Sequence, residues 1–248
     1  MTTLVRCGTC RLLFRAPTTT AASNRALYRG RYTAGFTTDL PAPATLAAWV
    51  AAEFRGSPKD YSKIIELLAA ANAPADARLF DLGCSWGYGS WQLARAGFDV
   101  EAFEVDPRRA AFAREHLGVR VFDAFAAARG PYDVFFSSHV LEHLPELGAT
   151  LTRAFEVLRP GGLFVAFTPN GCEARRRRAP EAWHRAWGEV HPNLLDEHYY
   201  RARFGDPFLS TSPHDPARVA AWARGDATPD DPLDGDELLV LTRKPVGA

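Results

Sequence analysis

From residue 78 onward, short apolar runs and segments with helical periodicity follow one another in a regular order. Apolar runs of four to six residues, typical of buried strands, are followed by turn residues and then by segments with helical periodicity. The pattern predicts strands at 78–82, 100–105, 119–122, 134–137 and 163–168, helices at 89–96, 107–116 and 147–158, and a turn at 160–162. This alternation predicts a doubly wound parallel α/β sheet with right-handed crossovers.

The start of the chain follows a different pattern. Residues 1–44 are interrupted by prolines and predict a small N-terminal appendage. Residues 45–248 are predicted as the main domain, which begins with two helices at 45–54 and 59–71.

The end of the chain also departs from the strand–helix order. Residues 171–205 are rich in arginine, histidine and aromatic side chains and are predicted as an insertion that caps a substrate site. Strands at 208–211 and 237–243, with a helix at 216–224 between them, predict an antiparallel pair added at one edge of the sheet.

Composition narrows the functional class. The 248 residues are 47% hydrophobic, which is enough for a packed core, and 29 basic residues balance 29 acidic ones. A net charge of zero argues against a nucleic-acid partner, which needs a basic surplus. The chain has no apolar run of the roughly 20 residues that span a bilayer, and arginines interrupt the N-terminal segment, so a cytoplasmic location without a membrane partner is expected.

The strand at 78–82 is followed by a glycine-rich turn, Asp81-Leu82-Gly83-Cys84-Ser85-Trp86-Gly87-Tyr88-Gly89. Glycines let the backbone turn tightly and approach a ligand closely. The helix that follows offers free N–H groups to the anionic end of a ligand. The turn therefore predicts a nucleotide-like ligand at this edge of the sheet.

Two acids follow the next strands. Glu104 lies at the end of the second strand, where a carboxylate can accept both hydroxyls of a ribose, although Asp106 two residues later competes for that place or caps the helix at Pro107. Asp123-Ala124 follows the third strand. An acid at a strand end is alternatively a helix cap or a solvated charge.

Together these signals resemble a class I S-adenosylmethionine (SAM) dependent methyltransferase over residues 59–243. The glycine turn, Glu104, Asp123 and the segment Tyr132–Leu144 followed by Leu158–Gly162 occur in that family's order. The resemblance implies a Rossmann-like, mostly parallel seven-stranded sheet and SAM as the cofactor. The cofactor-binding residues that it implies are Asp81, Gly83, Ser85, Gly87, Glu104, Val105, Asp123, Ala124 and Ser138.

The turn departs from the usual motifs at one position. The family pattern is G-x-G-x-G, and Ser85 replaces its middle glycine. The dinucleotide-binding fingerprint G-x-G-x-x-G does not match this order of glycines either. Ser85 adds a hydroxyl that either donates to the SAM carboxylate or shifts the ligand.

The N-terminus resembles that of small-molecule methyltransferases that begin with a zinc ribbon. Relatives of this kind carry two CxxC pairs, whereas this chain carries only Cys7 and Cys10. Structural zinc needs four ligands, so Cys172, a histidine or a second subunit would have to complete the site. The alternative is a vestigial, metal-free knuckle, and no metal site is predicted.

Histidines are the candidate catalytic groups. His139 and His143 are four residues apart after the fourth strand, and they share one face if that segment is helical. Three interpretations stay open: Glu142 and His143 hold the loop; His143 or His191 is a general base; or His139, Glu142, His143 and His191 bind a divalent metal, as a similar set does in small-RNA 2′-O-methyltransferases. His143 and His191 are predicted as the catalytic pair.

Two further groups have both a structural and a functional interpretation. Arg175–Arg178 are either a solvated charge run or a clamp for an anionic substrate. The aromatic residues of the insertion form either its own core or the wall of an apolar pocket; they are Trp183, Trp187, Tyr199 and Tyr200.

The predicted function is therefore methyl transfer from SAM to a small molecule, with oxygen favoured as the acceptor atom. The resemblance suggests saccharide or secondary-metabolite biosynthesis. The alternatives are an RNA methyltransferase and a SAM-binding protein without catalytic activity. A homodimer is compatible with the sequence.

Overall fold

The computed structural model describes residues 2–18, 20, 22–24, 26, 39–188, 190–228 and 232–247. Its strands are β1 (Thr3–Arg6), β2 (Leu13–Ala16), β3 (Arg78–Leu82), β4 (Asp99–Phe103), β5 (Arg120–Phe122), β6 (Tyr132–Ser138), β7 (Leu158–Pro169), β8 (Asn193–Leu194), β9 (Phe208–Thr211) and β10 (Glu237–Arg243). Its helices are α1 (Pro43–Ala51), α2 (Ser62–Ala70), α3 (Tyr88–Arg95), α4 (Pro107–Leu117), α5 (Leu147–Val157), α6 (Glu173–Arg178), α7 (Pro180–Arg185), α8 (Glu197–Phe204) and α9 (Pro216–Arg224). Single 3-10 turns lie at Phe125–Ala127 and Leu141–His143.

Seven strands form the main sheet in the order β5-β4-β3-β6-β7-β10-β9. Strands β3 to β7 are parallel to one another, and β10 runs antiparallel to both of its neighbours, β7 and β9. The predicted Rossmann-like, mostly parallel sheet with an added edge pair is confirmed. The strand order reverses beside β3, so the β3 and β6 ends form the crevice in which open α/β sheets bind ligands.

The hydrophobic core lies on both faces of this sheet. Successive side chains of a strand point to opposite faces, so Phe80, Phe135 and Phe164 pack on one side with α5 and α8. Leu79, Phe136 and Val165 pack on the other side with α2 and α9. Burial on both faces fixes the central strands and thereby positions the turns at their carboxyl ends. Among the described residues, no helix is long and apolar enough to cross a bilayer.

A second, three-stranded sheet was not predicted. Strands β1 and β2 form an antiparallel hairpin, and β8, from the insertion, pairs with β2 through Leu13 and Leu194. Leu13, Leu194 and Trp183 form a small core between the hairpin and the insertion. The N-terminal segment and the insertion therefore pack as one unit beside the main sheet.

The predicted turn at 160–162 is wrong. Strand β7 begins at Leu158 and continues through these residues, because the sheet pairing of Leu158 with Tyr132 extends it across a register shift. Gly161 takes a φ of 73° there, and its N–H donates to the Lys244 carbonyl at 2.9 Å. The glycine allows the strand to bend without ending.

Candidate functional site

The turn after β3 reverses the chain tightly. Gly83 has a φ of 80°, and its N–H and that of Cys84 both donate to the Phe103 carbonyl at the end of β4, at 2.7 and 3.1 Å. A Cβ at Gly83 would lie 2.3 Å from Cγ2 of Val140, which follows β6. Gly87, with a φ of 87°, precedes α3. The turn therefore fits closely against the segment that leaves β6.

Glu104 holds this turn from the neighbouring strand end. Its carboxylate accepts hydrogen bonds from the N–H of Ser85 at 2.9 Å and of Asp106 at 2.8 Å. Burial raises the pKa of Glu104, and the two backbone hydrogen bonds oppose this rise. Asp106 itself caps α4 by accepting from the Arg108 N–H at 2.9 Å. The two acids thus have separate roles, and each oxygen of Glu104 retains a second lone pair for a ligand.

Ser85 is the unusual residue of the turn. Its φ of 53° is in the left-handed region, which glycine adopts without strain. Its Oγ is buried and has no hydrogen-bond partner within the described part of the chain. Buried polar atoms in native proteins are nearly always hydrogen-bonded, so this orphaned hydroxyl fits a turn that receives a polar ligand.

Asp81 is a buried acid at the base of the turn. Burial raises the pKa of its carboxyl to about 7, although the Ser90 hydroxyl donates to it at 2.5 Å and favours the charged form. The carboxyl is therefore poised to change its charge near neutrality. A buried carboxyl with a raised pKa is a candidate functional group.

Tyr61 covers the other side of the turn and was missed by the sequence analysis. A Cβ at Gly89 would lie 2.4 Å from the Tyr61 ring, whose hydroxyl interacts with Ser138 at the end of β6. Tyr61 lies just before α2, where only the sequence Ser57-Pro58 marks a helix start. That start signal gives no hint that the side chain reaches the turn.

A cluster of one acid and two histidines lies immediately beyond β6. Ligand atoms of Glu142, His143 and His191 all lie within 4.8 Å of one another. Glu142 and His143 come from the 3-10 turn, and His191 comes from the insertion. The two imidazole rings meet edge to face, with centroids 4.4 Å apart.

Backbone carbonyls fix both imidazoles. Nδ1 of His143 donates to the Val190 carbonyl at 3.0 Å, and Nδ1 of His191 donates to the Ala186 carbonyl at 2.8 Å. A carbonyl oxygen only accepts, so each Nδ1 carries the proton. Burial lowers the pKa of His143 to about 4, so this ring is neutral near pH 7.

Comparison with known proteins then decides the family. A family model described as a methyltransferase domain matches residues 52–206, more than half of the chain. The chain belongs to this methyltransferase family. Its fold is that of the class I SAM-dependent enzymes, and its cofactor is SAM.

Two curated relatives are both named ubiquinone biosynthesis O-methyltransferase. The protein from Xanthomonas axonopodis pv. citri is 31% identical over 174 residues, which cover 64% of this chain and 66% of that protein. The protein from Cereibacter sphaeroides is 37% identical over 102 residues, which cover 38% of this chain and 41% of that protein. The chain thus spans about two fifths to two thirds of the length of the curated relatives it matches.

Solved structures show the same fold. Magnesium protoporphyrin IX methyltransferase from Synechocystis PCC 6803, with bound SAM, has a TM-score of 0.53 at 15% identity, and the match covers 91% of this chain and all of that one. The N-methyltransferase NodS from Bradyrhizobium japonicum, with S-adenosyl-L-homocysteine, has a TM-score of 0.50 at 16% identity, with coverage of 81% and 96%. At these identities the likeness concerns the fold.

The other predicted SAM-binding residues lie along the same edge of the methyltransferase sheet. Val105 follows Glu104 and is 44% exposed, as an apolar contact for a ligand would be. Asp123 follows β5, is 93% exposed and forms an ion pair with Arg114 at 2.5 Å. Ala124 beside it is also exposed. The SAM contacts of Asp123 and Ala124 and the ribose contact of Glu104 stay predictions.

His139 and His143 would share one face only if the whole segment were helical, and the structure does not meet that condition. The segment is helical only over the 3-10 turn Leu141–His143, and His139 precedes it with a left-handed φ of 54°. His139 therefore approaches Glu142 from a different side, with Nδ1 3.5 Å from its carboxylate.

His139 belongs to a second network that the sequence did not reveal. Its Nε2 lies 2.6 Å from Glu237 at the start of β10, and Glu237 also contacts Nε2 of His214 at 3.1 Å. Burial opposes a charge on His139, but the two carboxylates raise its pKa to about 10. His139 is thus an imidazolium that lies between Glu142 and Glu237.

Each arginine of the predicted clamp has a carboxylate neighbour. Arg175 is buried, contacts Asp236 at 3.1 Å and donates to the Asn170 carbonyl at 3.0 Å. Arg178 also contacts Asp236, and Arg176 and Arg177 contact Glu173. Arg175 and Arg178 therefore link the insertion to the segment that leads into β10, whereas Arg176 and Arg177 form ion pairs within α6.

Cys7 and Cys10 lie in the β1–β2 turn. Hydrogen bonds from the Cys10 and Thr9 N–H groups lower the pKa of the Cys7 thiol. Among the described residues, no third cysteine, histidine or acid joins them into a metal-binding group. The aromatic residues of the insertion divide between two cores: Trp183 and Trp187 pack against the hairpin, and Tyr199 and Tyr200 pack under the main sheet.

Proposed function

We propose that the protein transfers a methyl group from SAM to a hydroxyl oxygen of a small molecule, with the acceptor held beside Glu142, His143 and His191. The observation that carries the proposal is the position of this cluster. It follows β6 directly and is joined to the cofactor turn by the contact between Val140 and Gly83. Acceptor and methyl group must meet in such a place for an in-line transfer.

The residues of the turn suit SAM. When bound, SAM supplies an electrophilic methyl group, so the protein has mainly to orient the acceptor and remove a proton. Glu104 is the residue proposed to hold the ribose hydroxyls. Ser85, with its orphaned Oγ, and the N–H groups at the start of α3 are proposed to hold the methionine carboxylate.

The names of the curated relatives support oxygen as the acceptor atom. Saccharide or secondary-metabolite biosynthesis is the proposed setting. The general-base role of His143 and His191, a homodimer and a cytoplasmic location stay predictions. An RNA acceptor is not favoured, because each arginine of α6 has a carboxylate neighbour and the chain as a whole has no basic surplus.

The test uses methyl-labelled SAM and mass spectrometry. The protein is incubated with host metabolites and with a panel of phenols, sugars and sugar nucleotides, beside matching amines and thiols. We expect label on hydroxyl oxygens of one class of acceptor. The Glu104→Gln variant should lose this transfer, and Asp206→Asn, a fully exposed acid, should keep it. Label found only on nitrogen, carbon or RNA would overturn the proposal.

A further inference from the structure

Cys7 and Cys10 lie in one helical turn at the tip of the β1–β2 hairpin. The Arg11 N–H donates to the Cys7 carbonyl at 3.2 Å, a hydrogen bond that spans four residues and closes a single turn. Arg11 has a left-handed φ of 64°, which ends the turn before β2 begins. Residues three apart in a helical turn lie on one side of it, so the two cysteine side chains are neighbours.

The two thiols are in contact in this turn. The Cys10 side chain forms a hydrogen bond with the Cys7 side chain, and both residues are free thiols. A disulfide requires Cα atoms about 4.4–6.8 Å apart, a separation that a single tight turn provides. Cys10 is exposed and Cys7 is half-buried, so a small molecule in solution can reach the pair.

The backbone of the turn favours a thiolate at Cys7. The N–H groups of Cys10 and Thr9 donate to its sulfur, and these hydrogen bonds lower the pKa of the Cys7 thiol. The thiolate is the nucleophilic form of cysteine. Burial has the opposite effect on the two cysteines of the main domain, because it raises the pKa of Cys84 and of Cys172. Attack on an external sulfur is therefore expected at the hairpin tip and not in the core.

Arg6 holds the two ends of the turn together. Its Nη1 donates to the Arg11 carbonyl at 2.8 Å, and its Nη2 contacts the buried carboxylate of Asp196 at 2.7 Å. Below the turn, the Cys7 N–H donates to the Leu12 carbonyl at 2.8 Å. A frame that keeps two reacting groups close raises the effective concentration of one for the other. A bridge within the turn is thereby favoured over a lasting adduct with a small thiol.

We propose that Cys7 and Cys10 form a reversible disulfide by exchange with a small-molecule disulfide. The Cys7 thiolate attacks one sulfur of that molecule, whose S–S bond breaks and releases one small thiolate. The Cys10 thiolate then attacks the Cys7 sulfur of the mixed disulfide and releases the second small thiolate. Two protein thiols are oxidised to one disulfide, and one small-molecule disulfide is reduced to two thiols. The two protons pass through solvent from the protein thiols to the released thiolates.

This chemistry is separate from the proposed methyl transfer and requires neither SAM nor an acceptor. The test uses full-length protein that is reduced, treated with a chelator and desalted. The protein is equilibrated without oxygen in mixtures of reduced and oxidised glutathione, quenched with acid and alkylated. Peptide mass spectrometry then locates every bridge and every adduct. We expect a Cys7–Cys10 bridge in most of the oxidised protein, and reduced glutathione in excess should reopen it.

The two single cysteine variants are matched tests of which sulfur attacks. Cys10→Ser keeps the N–H groups that converge on Cys7, so it should accumulate a mixed disulfide of Cys7 with glutathione. Alkylation of Cys7 in this variant at pH 7 should be at least about 5-fold faster than that of Cys10 in Cys7→Ser. Equal rates, or faster alkylation of Cys10, would contradict the order of attack. Circular dichroism shows whether each variant is folded.

A second pair of variants tests the frame. Arg6→Ala removes the side chain that joins both ends of the turn and should lower the equilibrium constant of the bridge at least about 3-fold. Arg11→Ala keeps the carbonyl that Arg6 binds and should leave this constant within about 2-fold of wild type. The bridge should also be at least about 10-fold less favoured in protein unfolded by urea, where the frame is absent.

Three results would overturn the proposal. The first is glutathione adducts on both cysteines of folded protein without a bridge between them. The second is a bridge that involves Cys84 or Cys172 instead. The third is a zinc ion that stays on Cys7 and Cys10 against the chelator and prevents their oxidation, because the two sulfurs would then be metal ligands.

Discussion

Replacing Asp81 by asparagine should remove a pH-dependent part of the protein's stability. The wild-type carboxyl is buried, and its pKa is raised by that burial to about 7 from an ordinary 3.8. Between these values the folded protein holds a proton that the unfolded chain has released. The free energy of unfolding therefore falls as pH rises from about 4 to 7, and this contribution is lost above pH 7.

The magnitude follows from the two pKa values. One pKa unit corresponds to about 1.4 kcal/mol, so the full contribution has a ceiling of about 4 kcal/mol. Between pH 5 and 8 about 3 kcal/mol of it should be lost. Asparagine carries no titratable proton but can still accept the Ser90 hydrogen bond, so the charge is the main change.

The assay is urea denaturation of ligand-free protein from pH 5 to 8. The measured quantity is the free energy of unfolding of Asp81→Asn minus that of the wild type. Groups common to both proteins cancel in this difference, which should rise with pH by about 3 kcal/mol. Ser90→Ala removes a hydrogen bond that favours the charged form of Asp81. In that background the rise of the difference between Asp81→Asn and its parent should therefore lie at higher pH. Asp206→Asn, at a fully exposed acid, is the matched control substitution. A flat difference for Asp81→Asn within about 0.5 kcal/mol would refute the reasoning.

Four further substitutions test the site and its surroundings. Ser85→Ala removes the orphaned hydroxyl and should raise the free energy of unfolding by about 1 kcal/mol while weakening SAM binding about 5- to 10-fold by calorimetry; unchanged affinity would show that the hydroxyl does not meet the ligand. Glu104→Gln places an amide against two backbone donors, so it should lower the free energy of unfolding by about 1–3 kcal/mol. It should also weaken SAM binding at least about 10-fold. Tight SAM binding by this variant would contradict the ribose assignment. Arg175→Ala should destabilise the protein by about 1–3 kcal/mol in thermal or urea unfolding, whereas Arg177→Ala, at a side chain that is 78% exposed, should change stability by less than about 0.5 kcal/mol. A steep, salt-dependent rise of KM for an anionic acceptor in Arg177→Ala would favour the clamp instead.

Local chemistry explains which elements could be predicted. Strand β3 and helix α9 have the bounds that the sequence predicted, because an apolar run ends at a glycine turn in one case and Asp215-Pro216 starts a helix in the other. Asp215 accepts from the Ala217 N–H and the helix ends at Gly225. Such signals lie within a few residues of the boundary that they set.

The second sheet could not be predicted in the same way. Strand β8 has only two residues, and its partner β2 lies about 180 positions earlier in the chain. Nothing in the pattern of either strand indicates the other. Their pairing depends on the small core of Leu13, Leu194 and Trp183, which exists only after the insertion has folded.

Part of the candidate site could be predicted from neighbouring residues, and part depends on contacts between distant segments. The glycine turn after β3 could be predicted, because the order of its glycines and the strand ends specify it locally, and its contact with SAM stays a prediction. The meeting of Glu142 with His191 depends on the carbonyls of Ala186 and Val190, which no spacing rule provides. The four-residue spacing of His139 and His143 also does not predict where His139 lies. The left-handed backbone of His139 directs its side chain toward Glu237.

Two contacts hold the region after β3 against the end of β6 and the segment that follows it. Val140 occupies the space that a side chain at Gly83 would need, and Tyr61 lies over Gly89 while its hydroxyl meets Ser138. The first contact joins the β3 turn to Val140 after β6, and the second joins the start of α3 to the end of β6. A shift of the turn on ligand binding would therefore reach the histidine cluster through two or three packed residues. In-line transfer needs the two partners within a few tenths of an ångström of their reactive geometry, and this packing couples their positions.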